Sequence, residues 1–410
     1  MSRLMNAIGF ILFSLLLCPD VTPAAATAAS GRDWRARWIW LEETPADSSL
    51  TDLSALFRQN FRIEEKPEGA ELFISADSRY KLWINGGFIG RGPARCDPSL
   101  QQYDRHDVTS HLLAGENVLA VMVRHYGRDK TRYVRGRPGL LAELVSTGAD
   151  KKVILASGDG RFRGIADPAH SPVRLDWVGG VREVFDARRG LPGWNEPDFN
   201  DAQWPEAVRV ESPGREKRFA GMVPMEPWIQ MEERRLPYLE ERVVAAVRVI
   251  ETGTVVDWAD PNREPSQRMW AEELEPDRGA ILNPEAILTA DGVSCTVLPP
   301  GLGRSVYITL DFGRESSGYC RMETADGAGG VLVDMGISPW LFTSRDRNRQ
   351  SPGKRGRVDP SAGGGAVQRL VLAEGRGTWE SFHRGGFRYM QVNFRNVTRP
   401  IKVDAVTLNS

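Results

Sequence analysis

The stretch Tyr80-Lys81-Leu82-Trp83-Ile84-Asn85-Gly86-Gly87-Phe88-Ile89 is typical of a β-hairpin. Aromatic and branched side chains dominate as far as Ile84, as expected of a strand. The dipeptide Asn85-Gly86 then supplies two residues that tolerate the positive φ angles of a tight hairpin turn. The apolar pattern resumes at Phe88, so the stretch predicts two antiparallel strands joined by that turn.

Similar short runs recur between turn residues along the chain, and long helical periodicity is nearly absent. Clear examples lie at residues 70–75, 117–123, 305–310, 388–392 and 401–408. The 410 residues include 41 glycines and 26 prolines, which suit many short strands joined by turns. Asp107 and Gly115 have the positions of an N-cap and a stop for one helical turn. We therefore predict an all-β protein with two antiparallel, jelly-roll-like β-sandwich domains.

A segment punctuated by prolines, residues 205–237, is the best candidate for a boundary between the two domains. An aromatic-rich loop at residues 194–204 precedes it, and β-type patterning restarts near Glu240. A chain of this length also exceeds what one core usually fills. We expect the first sandwich over residues 31–237 and the second over residues 238–410.

The first 28 residues have the pattern of a signal peptide. Arg3 gives a basic start, residues 7–18 are mostly apolar, and small residues follow up to Ala29. A membrane anchor is the alternative, but the apolar run is short for one. We therefore expect export to the periplasm or the extracellular space. No later segment is apolar enough to span a membrane, and a net charge of -1 gives no electrostatic basis for binding nucleic acid.

The sequence contains none of the common catalytic or metal-binding motifs. Its 5 histidines form no ligand pair at helical spacing, and there is no Gly-x-Ser-x-Gly elbow or nucleotide-binding loop. We therefore expect no cofactor. Cys96, Cys295 and Cys320 remain after the predicted signal peptide. Cys295 and Cys320 either pair, if their strands are neighbours, or are free buried thiols.

Aromatic and polar side chains near the first hairpin are the best candidates for ligand binding. The chain has 12 tryptophans, and aromatic faces stack on the C–H faces of sugars while polar neighbours orient the hydroxyl groups. The alternative is that the aromatic residues fill sandwich cores and the polar residues stabilise turns. The predicted sugar-binding residues are Asp77, Arg79, Trp83, Asn85, Arg91 and Asp104. A further alternative is a Ca²⁺ ion held by Asp97 and Asp104.

Several stretches, taken in order, resemble bacterial α-L-rhamnosidases. In the first half they are residues 34–40, 57–61, 76–86, 90–93, 103–109, 115–121 and 194–204. In the second half they are residues 310–319 and 379–392. The resemblance covers nearly the whole mature chain. It implies a galactose-binding-like jelly roll followed by the second sandwich module of those enzymes.

In that family, a large (α/α)₆ barrel follows the sandwiches and carries the general acid and base. This sequence ends at Ser410, at the end of the second module, and no position matches the family's catalytic motif. The resemblance therefore implies an accessory protein that binds a rhamnose-containing glycan, with a separate catalytic partner, and no catalytic residue of its own. One alternative is an α-L-rhamnosidase whose barrel is encoded separately or lost, acting through two carboxylates. The other is a structural spacer.

Overall fold

The structure is a computed structural model. It describes residues 32–42, 52–97, 99–127, 133–148, 151–173, 181–210, 228, 230–256, 264–289, 291–342, 356–360 and 366–410. The predicted signal peptide, residues 1–28, lies outside the described residues, so the expectation of export stays a prediction.

The described residues form 24 strands, one short α-helix and three 3₁₀ turns. The strands before residue 240 are β1 (Ile39–Trp40), β2 (Leu53–Ile63), β3 (Ala70–Asp77), β4 (Arg79–Ile84), β5 (Gly87–Gly92), β6 (Leu100–Asp107), β7 (Gly115–His125), β8 (Gly139–Ser146), β9 (Val153–Ala156), β10 (Arg163–Ala166), β11 (His170–Ser171), β12 (Val181–Asp186), β13 (Val208–Arg209) and β14 (Gln230–Glu233). The later strands are β15 (Val243–Ala245), β16 (Arg248–Val256), β17 (Leu274–Pro276), β18 (Ile281–Leu282), β19 (Cys295–Val297), β20 (Arg304–Gly327), β21 (Leu332–Ser338), β22 (Ala366–Val371), β23 (Gly375–Arg395) and β24 (Ile401–Asn409). Helix α1 spans Pro265–Ala271, and the 3₁₀ turns span Thr109–His111, Ala187–Arg189 and Pro284–Leu288. The predicted all-β class is confirmed.

Two sheets packed face to face form the first sandwich. One has the strand order β13-β1-β8-β3-β6-β14, with β9 paired to β8, and the other has the order β10-β2-β7-β4-β5. Alternate side chains of β3, such as Leu72 and Ile74, meet Leu119 and Val121 of β7 in one apolar core. Each fully buried side chain of this kind stabilises the fold by roughly 1.5–3 kcal/mol.

One large sheet curls around its own core to form the second sandwich. Its strand order is β11-β12-β22-β21-β23-β20-β24-β19-β18, with β15 paired to β24, β16 to β20 and β17 to β16. The 24-residue strand β20 pairs with β16 through its first half and with β24 through its second half. Ile308 and Met322, one from each half, lie in the same apolar core, which places both halves around it.

Strands β11 and β12 belong to the sheet of the second sandwich although they come early in the chain. β12 runs parallel to β22 and places Phe185 opposite Leu370. The division into residues 31–237 and 238–410 stays a prediction. In the structure, β11 and β12 come from the first of these ranges but pair within the sheet of the second sandwich. A parallel pair joins strands that are distant in sequence, so no local pattern reveals it.

The hairpin predicted at Asn85-Gly86 is confirmed. β4 and β5 pair antiparallel, and the two turn residues have φ angles of 51° and 78°. The predicted helical turn differs in detail, because Asp107 still belongs to β6 and only the 3₁₀ turn follows it. The Asp107 carboxylate accepts a hydrogen bond of 3.0 Å from the N–H of Thr109, and Gly115 begins β7 with a φ of 96°.

Cys295 and Cys320 are free thiols buried in the second sandwich, and Cys96 is a half-buried free thiol. Cys295 lies opposite Val403 and Cys320 lies opposite Leu408, so β24 separates the strands that carry the two thiols. The disulfide alternative for this pair is therefore wrong.

Among the described residues, no helix has the length and apolar character needed to cross a bilayer.

Candidate functional site

A cleft of about 830 Å³ lies between the two sandwiches. The first sandwich contributes the edge strand β5, including Arg91, its neighbour β4, and also Tyr126, which follows β7. The second sandwich contributes Tyr319 of β20 and His383 of β23, and residues on the connection between β14 and β15 complete the lining. The volume falls within the roughly 300–1,000 Å³ of clefts that hold small ligands.

Charged side chains beside the cleft join the sandwiches. Lys81 of the first sandwich lies 3.1 Å from Glu380 Oε1 of the second, and Arg91 Nη1 lies 2.9 Å from the same oxygen. Arg91 Nε also lies 2.7 Å from Glu241 Oε1. Burial lowers the pKa of Lys81. Burial alone would raise the pKa of Glu380, but the charges of Lys81 and Arg91 hold it at about 2, so Glu380 is ionised at neutral pH.

Tyr80, Asp104 and His106 form a hydrogen-bonded group at the wall of the cleft. The Tyr80 hydroxyl donates to Asp104 Oδ2 at 2.5 Å and lies 3.0 Å from His106 Nε2. Since the phenol gives its one proton to Asp104, His106 Nε2 carries the hydrogen that it donates to the phenol oxygen. Burial raises the pKa of Asp104. Burial, with the charge of Arg234, lowers the pKa of His106 to about 4, which keeps the ring neutral at neutral pH.

Two glycines of β5 let the backbone lie directly against this group. A Cβ atom on Gly92 would lie 1.9 Å from Asp104 Oδ2, and one on Gly90 would lie 3.0 Å from His106 Cε1. Such distances leave no room for a side chain at Gly92. The Gly-x-Gly-Pro stretch at residues 90–93 therefore has a steric reason in the structure.

The structure brings together four of the six residues predicted to bind sugar, in two different settings. Arg79 and Arg91 line the cleft. Asp77 and Asp104 are buried, and protein groups bind their carboxylates. Asp77 accepts a hydrogen bond from the hydroxyl of Tyr133, which also lines the cleft.

The remaining two, Trp83 and Asn85, lie at the turn end of the hairpin. At about 3.3 Å per strand residue, Trp83 is roughly 13 Å along β4 from Arg79. It packs edge-on against Phe88 and Trp194, with ring centres 5.7 and 5.5 Å away.

The Asn85 amide donates to the carbonyl of His111 at 3.0 Å and accepts from the N–H of Val118 at 2.9 Å. Asn85 therefore stabilises the hairpin turn, which was the alternative to a role in sugar binding.

Tyrosine rather than tryptophan supplies the aromatic surface of the cleft. Tyr126 stacks on His383 with ring centres 5.4 Å apart and planes 21° apart. The guanidinium of Arg91 lies 3.9 Å from the ring centre of Tyr319, and Tyr238 is 45% exposed. Five tryptophans, Trp38, Trp40, Trp204, Trp228 and Trp379, are buried.

These tyrosines were not predicted, because they lie outside the first hairpin. They come from distant parts of the chain and meet only in the fold. The one available signal was Tyr319, which lies in the stretch 310–319 that resembles the rhamnosidases.

The lining of the cleft is strongly cationic. Six arginines and Lys81 line it, against the single carboxylate of Glu241. The arginines are Arg79, Arg91, Arg95, Arg182, Arg234 and Arg384. Guanidinium groups donate several hydrogen bonds in a fixed plane, so the cleft favours ligands rich in acceptor oxygens.

In the part of the chain that the structure describes, no group of three or more histidine, cysteine, aspartate or glutamate side chains is placed to hold a metal ion. Asp97 Oδ1 accepts hydrogen bonds of 2.9 and 2.7 Å from the N–H and hydroxyl of Ser99. Asp104 accepts from Tyr80. Both carboxylates of the calcium alternative therefore have protein partners.

Part of the chain is similar to known proteins. Residues 65–226 match the family described as the α-L-rhamnosidase N-terminal domain. An α-L-rhamnosidase of Streptomyces avermitilis is 31% identical over 193 residues, which cover 44% of this chain and 18% of that protein. An α-L-rhamnosidase of Alteromonas sp. (strain LOR) is 26% identical over 192 residues, covering 42% of this chain and 20% of that protein. The matches thus span about a fifth of the length of these relatives.

Solved structures extend the likeness over most of the chain. The GH78 family rhamnosidase of Bacillus sp. GL1 has a TM-score of 0.70 at 19% identity, covering 93% of this chain and 55% of that one. The α-L-rhamnosidase of Aspergillus terreus has a TM-score of 0.57 at 18% identity, covering 91% of this chain and 36% of that one. At these identities the likeness shows the fold. The resemblance to the N-terminal part of α-L-rhamnosidases is confirmed.

Proposed function

Because residues 65–226 match an α-L-rhamnosidase N-terminal domain, we propose that this protein binds carbohydrate in the cleft between its two sandwiches. The observation that carries the proposal is the lining of the cleft. A volume of about 830 Å³ combines tyrosine rings with a dense set of guanidinium groups.

This combination suits a sugar for physical reasons. A pyranose ring presents C–H groups on its faces and hydroxyl oxygens around its edge. Tyr126, Tyr238 and Tyr319 line the cleft, so the parts of their rings that His383 and the arginines leave uncovered can contact the C–H groups at a low cost in side-chain entropy. The guanidinium groups donate hydrogen bonds to hydroxyl and ring oxygens.

The proposed ligand class is a rhamnose-containing glycan, and the proposed role is accessory to its breakdown. Both curated relatives carry the name α-L-rhamnosidase, which supports that class. Rhamnose has a methyl group at C6, and Phe88, which lines the cleft and is 42% exposed, offers an apolar contact for it. A separately encoded catalytic partner belongs to the same proposal.

We also propose that the protein is exported to the periplasm or the extracellular space. The support is the pattern of residues 1–28, with its basic start, apolar run and small residues. Cell fractionation with intact-mass measurement of the N-terminus tests this. Full-length protein in the cytoplasm, still carrying residues 1–28, would contradict it.

Titration calorimetry against rhamnose and rhamnose-containing oligosaccharides tests carbohydrate binding. Tyr126→Ala and Tyr319→Ala should each weaken binding by about tenfold, since each removes a stacking surface. Tyr389→Ala is the matched control, because Tyr389 lies on β23 and does not line the cleft. Absence of heat with every glycan would overturn the proposal and favour the structural spacer.

Hydrolysis of α-L-rhamnosides is a second candidate function, supported by the names of the curated relatives. Such hydrolysis requires one protonated and one ionised carboxyl group across the scissile bond. Turnover of an aryl rhamnoside by homogeneous protein would support it. No turnover at any pH between 4 and 8, by protein that still binds the glycan, would exclude it.

A further inference from the structure

Three of the cationic side chains that line the cleft already have a carboxylate partner. Lys81 and Arg91 share Glu380, at 3.1 and 2.9 Å, and Arg91 also pairs with Glu241 at 2.7 Å. Arg234 Nη1 lies 3.4 Å from Asp104 Oδ1. Each of these cations is neutralised by the protein, so none of them requires a ligand charge.

Arg79 and Arg384 differ from those three. Arg79 Nη1 donates to the carbonyl of Ser78 at 3.0 Å, and Arg384 Nη2 donates to the carbonyl of Ser317 at 3.0 Å. A carbonyl oxygen satisfies a donor but carries no net charge. Neither arginine forms an ion pair with any residue that the structure describes.

The two arginines come from different sandwiches and act on the same part of the cleft. Arg79 begins β4, whereas Arg384 lies on β23 beside His383, which stacks on Tyr126. Burial raises the pKa of Tyr319; the charges of Arg91, Arg384 and Arg79 oppose that rise, and the charge of Glu241 adds to it. Arg79 and Arg384 line the same cleft as Tyr319, so one guanidinium from each sandwich faces a ligand bound there.

We propose that the cleft selects an anionic saccharide, and that Arg79 and Arg384 bind its carboxylate or sulfate groups from the two sandwiches. This rests on the proposed function of carbohydrate binding and narrows its ligand class. A guanidinium offers two parallel N–H groups that match two oxygens of a carboxylate or sulfate. A neutral glycan would bury the same arginines without compensating their charge, which costs binding free energy.

The test is a glycan array that pairs each acidic oligosaccharide with its neutral form, followed by titration calorimetry on the best pair. Uronic acid glycans are paired with their methyl esters, and sulfated glycans with their desulfated forms. We expect the acidic member to bind more tightly and its affinity to fall as salt rises, because salt screens the attraction. The two sets distinguish carboxylate from sulfate as the recognised group.

Variants assign the effect to the two arginines. Arg79→Gln and Arg384→Gln should each weaken binding of the acidic glycan by about tenfold or more, while binding of the neutral form hardly changes. Arg79→Lys should restore part of the affinity. Arg376→Gln is the matched control, since Arg376 also lies on β23 and does not line the cleft. Arg384 is exposed, so its variant should fold normally, and circular dichroism checks this.

The outcomes separate this inference from the proposed function. Equal binding of both members of each pair, insensitive to salt, overturns the anionic preference and leaves carbohydrate binding intact. A preference for the acidic member that survives in both glutamine variants overturns the assignment to Arg79 and Arg384. Failure to bind any glycan overturns both proposals together.

Discussion

The ammonium group of Lys81 lies 3.1 Å from Glu380 Oε1, and this contact joins the first sandwich to the second beside the cleft. Lys81 Nζ also donates to the backbone carbonyl of Ser381 at 3.2 Å. The side chains of Lys81 and Glu380 are only 10% and 16% exposed. When one partner of a buried charge pair is removed, the other charge stays buried without a counter-charge, and the protein is strongly destabilised.

Glu380→Gln should therefore destabilise the protein by about 2–4 kcal/mol, because Lys81 and Arg91 lose their shared counter-charge. Urea unfolding at pH 7 measures the change. Glu240→Gln is the control, since that side chain is 82% exposed in its ion pair and should alter stability little. Equal stability of the two variants would show that the buried pair does not stabilise the junction.

The same variant should also change the pH dependence of stability. The pKa of Glu380 falls from 4.5 to about 2 on folding, so its contribution is complete above pH 4.5 and lost as the pH falls toward about 2. The difference in unfolding free energy between wild type and Glu380→Gln should shrink over that interval. A difference that stays constant from pH 7 to pH 2.5 would contradict the low pKa.

His106 should make the protein less stable in mild acid. Its pKa falls from 6.5 to about 4 on folding, so the unfolded chain binds the proton first and stability is lost as the pH falls from 6.5 toward 4. His106→Gln keeps a donor for the Tyr80 oxygen and does not titrate, so it should remove about 1–3 kcal/mol of that loss. Thermal unfolding at pH 7.5 and 4.5 checks this. If wild type and His106→Gln lose the same stability between pH 7.5 and pH 4.5, the assignment of that loss to His106 is contradicted.

Gly92→Ala should destabilise the first sandwich by about 1–3 kcal/mol, because the new Cβ would lie 1.9 Å from Asp104 Oδ2 and force it away from Tyr80. Gly148→Ala is the control, since nothing lies within 4 Å of a Cβ there. Denaturant unfolding compares the two. If both substitutions cost the same, the close approach of β5 to Asp104 does not constrain position 92.

Asn85→Ala should lower stability by about 1–3 kcal/mol without changing the glycan affinity of the folded protein. The substitution removes the bonds to His111 and Val118 and leaves the Val118 N–H unsatisfied. Asn85→Gly removes the same bonds but tolerates the φ of 51°, so it isolates the cost of backbone strain. A loss of glycan affinity at full folding would instead place Asn85 in the binding site.

Local signals predicted the parts of the fold that depend on neighbouring residues. The Asn85-Gly86 turn is such a case, because positive φ angles are a property of the residues themselves. The β-type patterning that restarts near Glu240 is interrupted near residue 246, which was not predicted, and two strands follow one another there, β15 and β16. Their separate partners, β24 and β20, impose that break.

The candidate site was predicted only in part, for a related reason. Arg79 and Arg91 lie in a hairpin that the sequence identifies, and both line the cleft. Trp83 lies in the same hairpin but some strand residues further along, where it packs on Trp194. Trp83 also contacts Phe88, which lines the cleft, so its packing between Phe88 and Trp194 keeps it out of the lining, whereas closeness in sequence had suggested one common site.

The sequence by itself determined the all-β class, the hairpin turn at Asn85-Gly86 and the resemblance to α-L-rhamnosidase N-terminal domains, because these follow from residue type and from the order of motifs. Only the tertiary structure decided the parallel pairing of β12 with β22, the free state of Cys295 and Cys320, and the cleft. Each of these depends on contacts between residues far apart in the chain. The position of Tyr126 against His383 shows the reason: 257 positions separate two rings whose centres lie 5.4 Å apart.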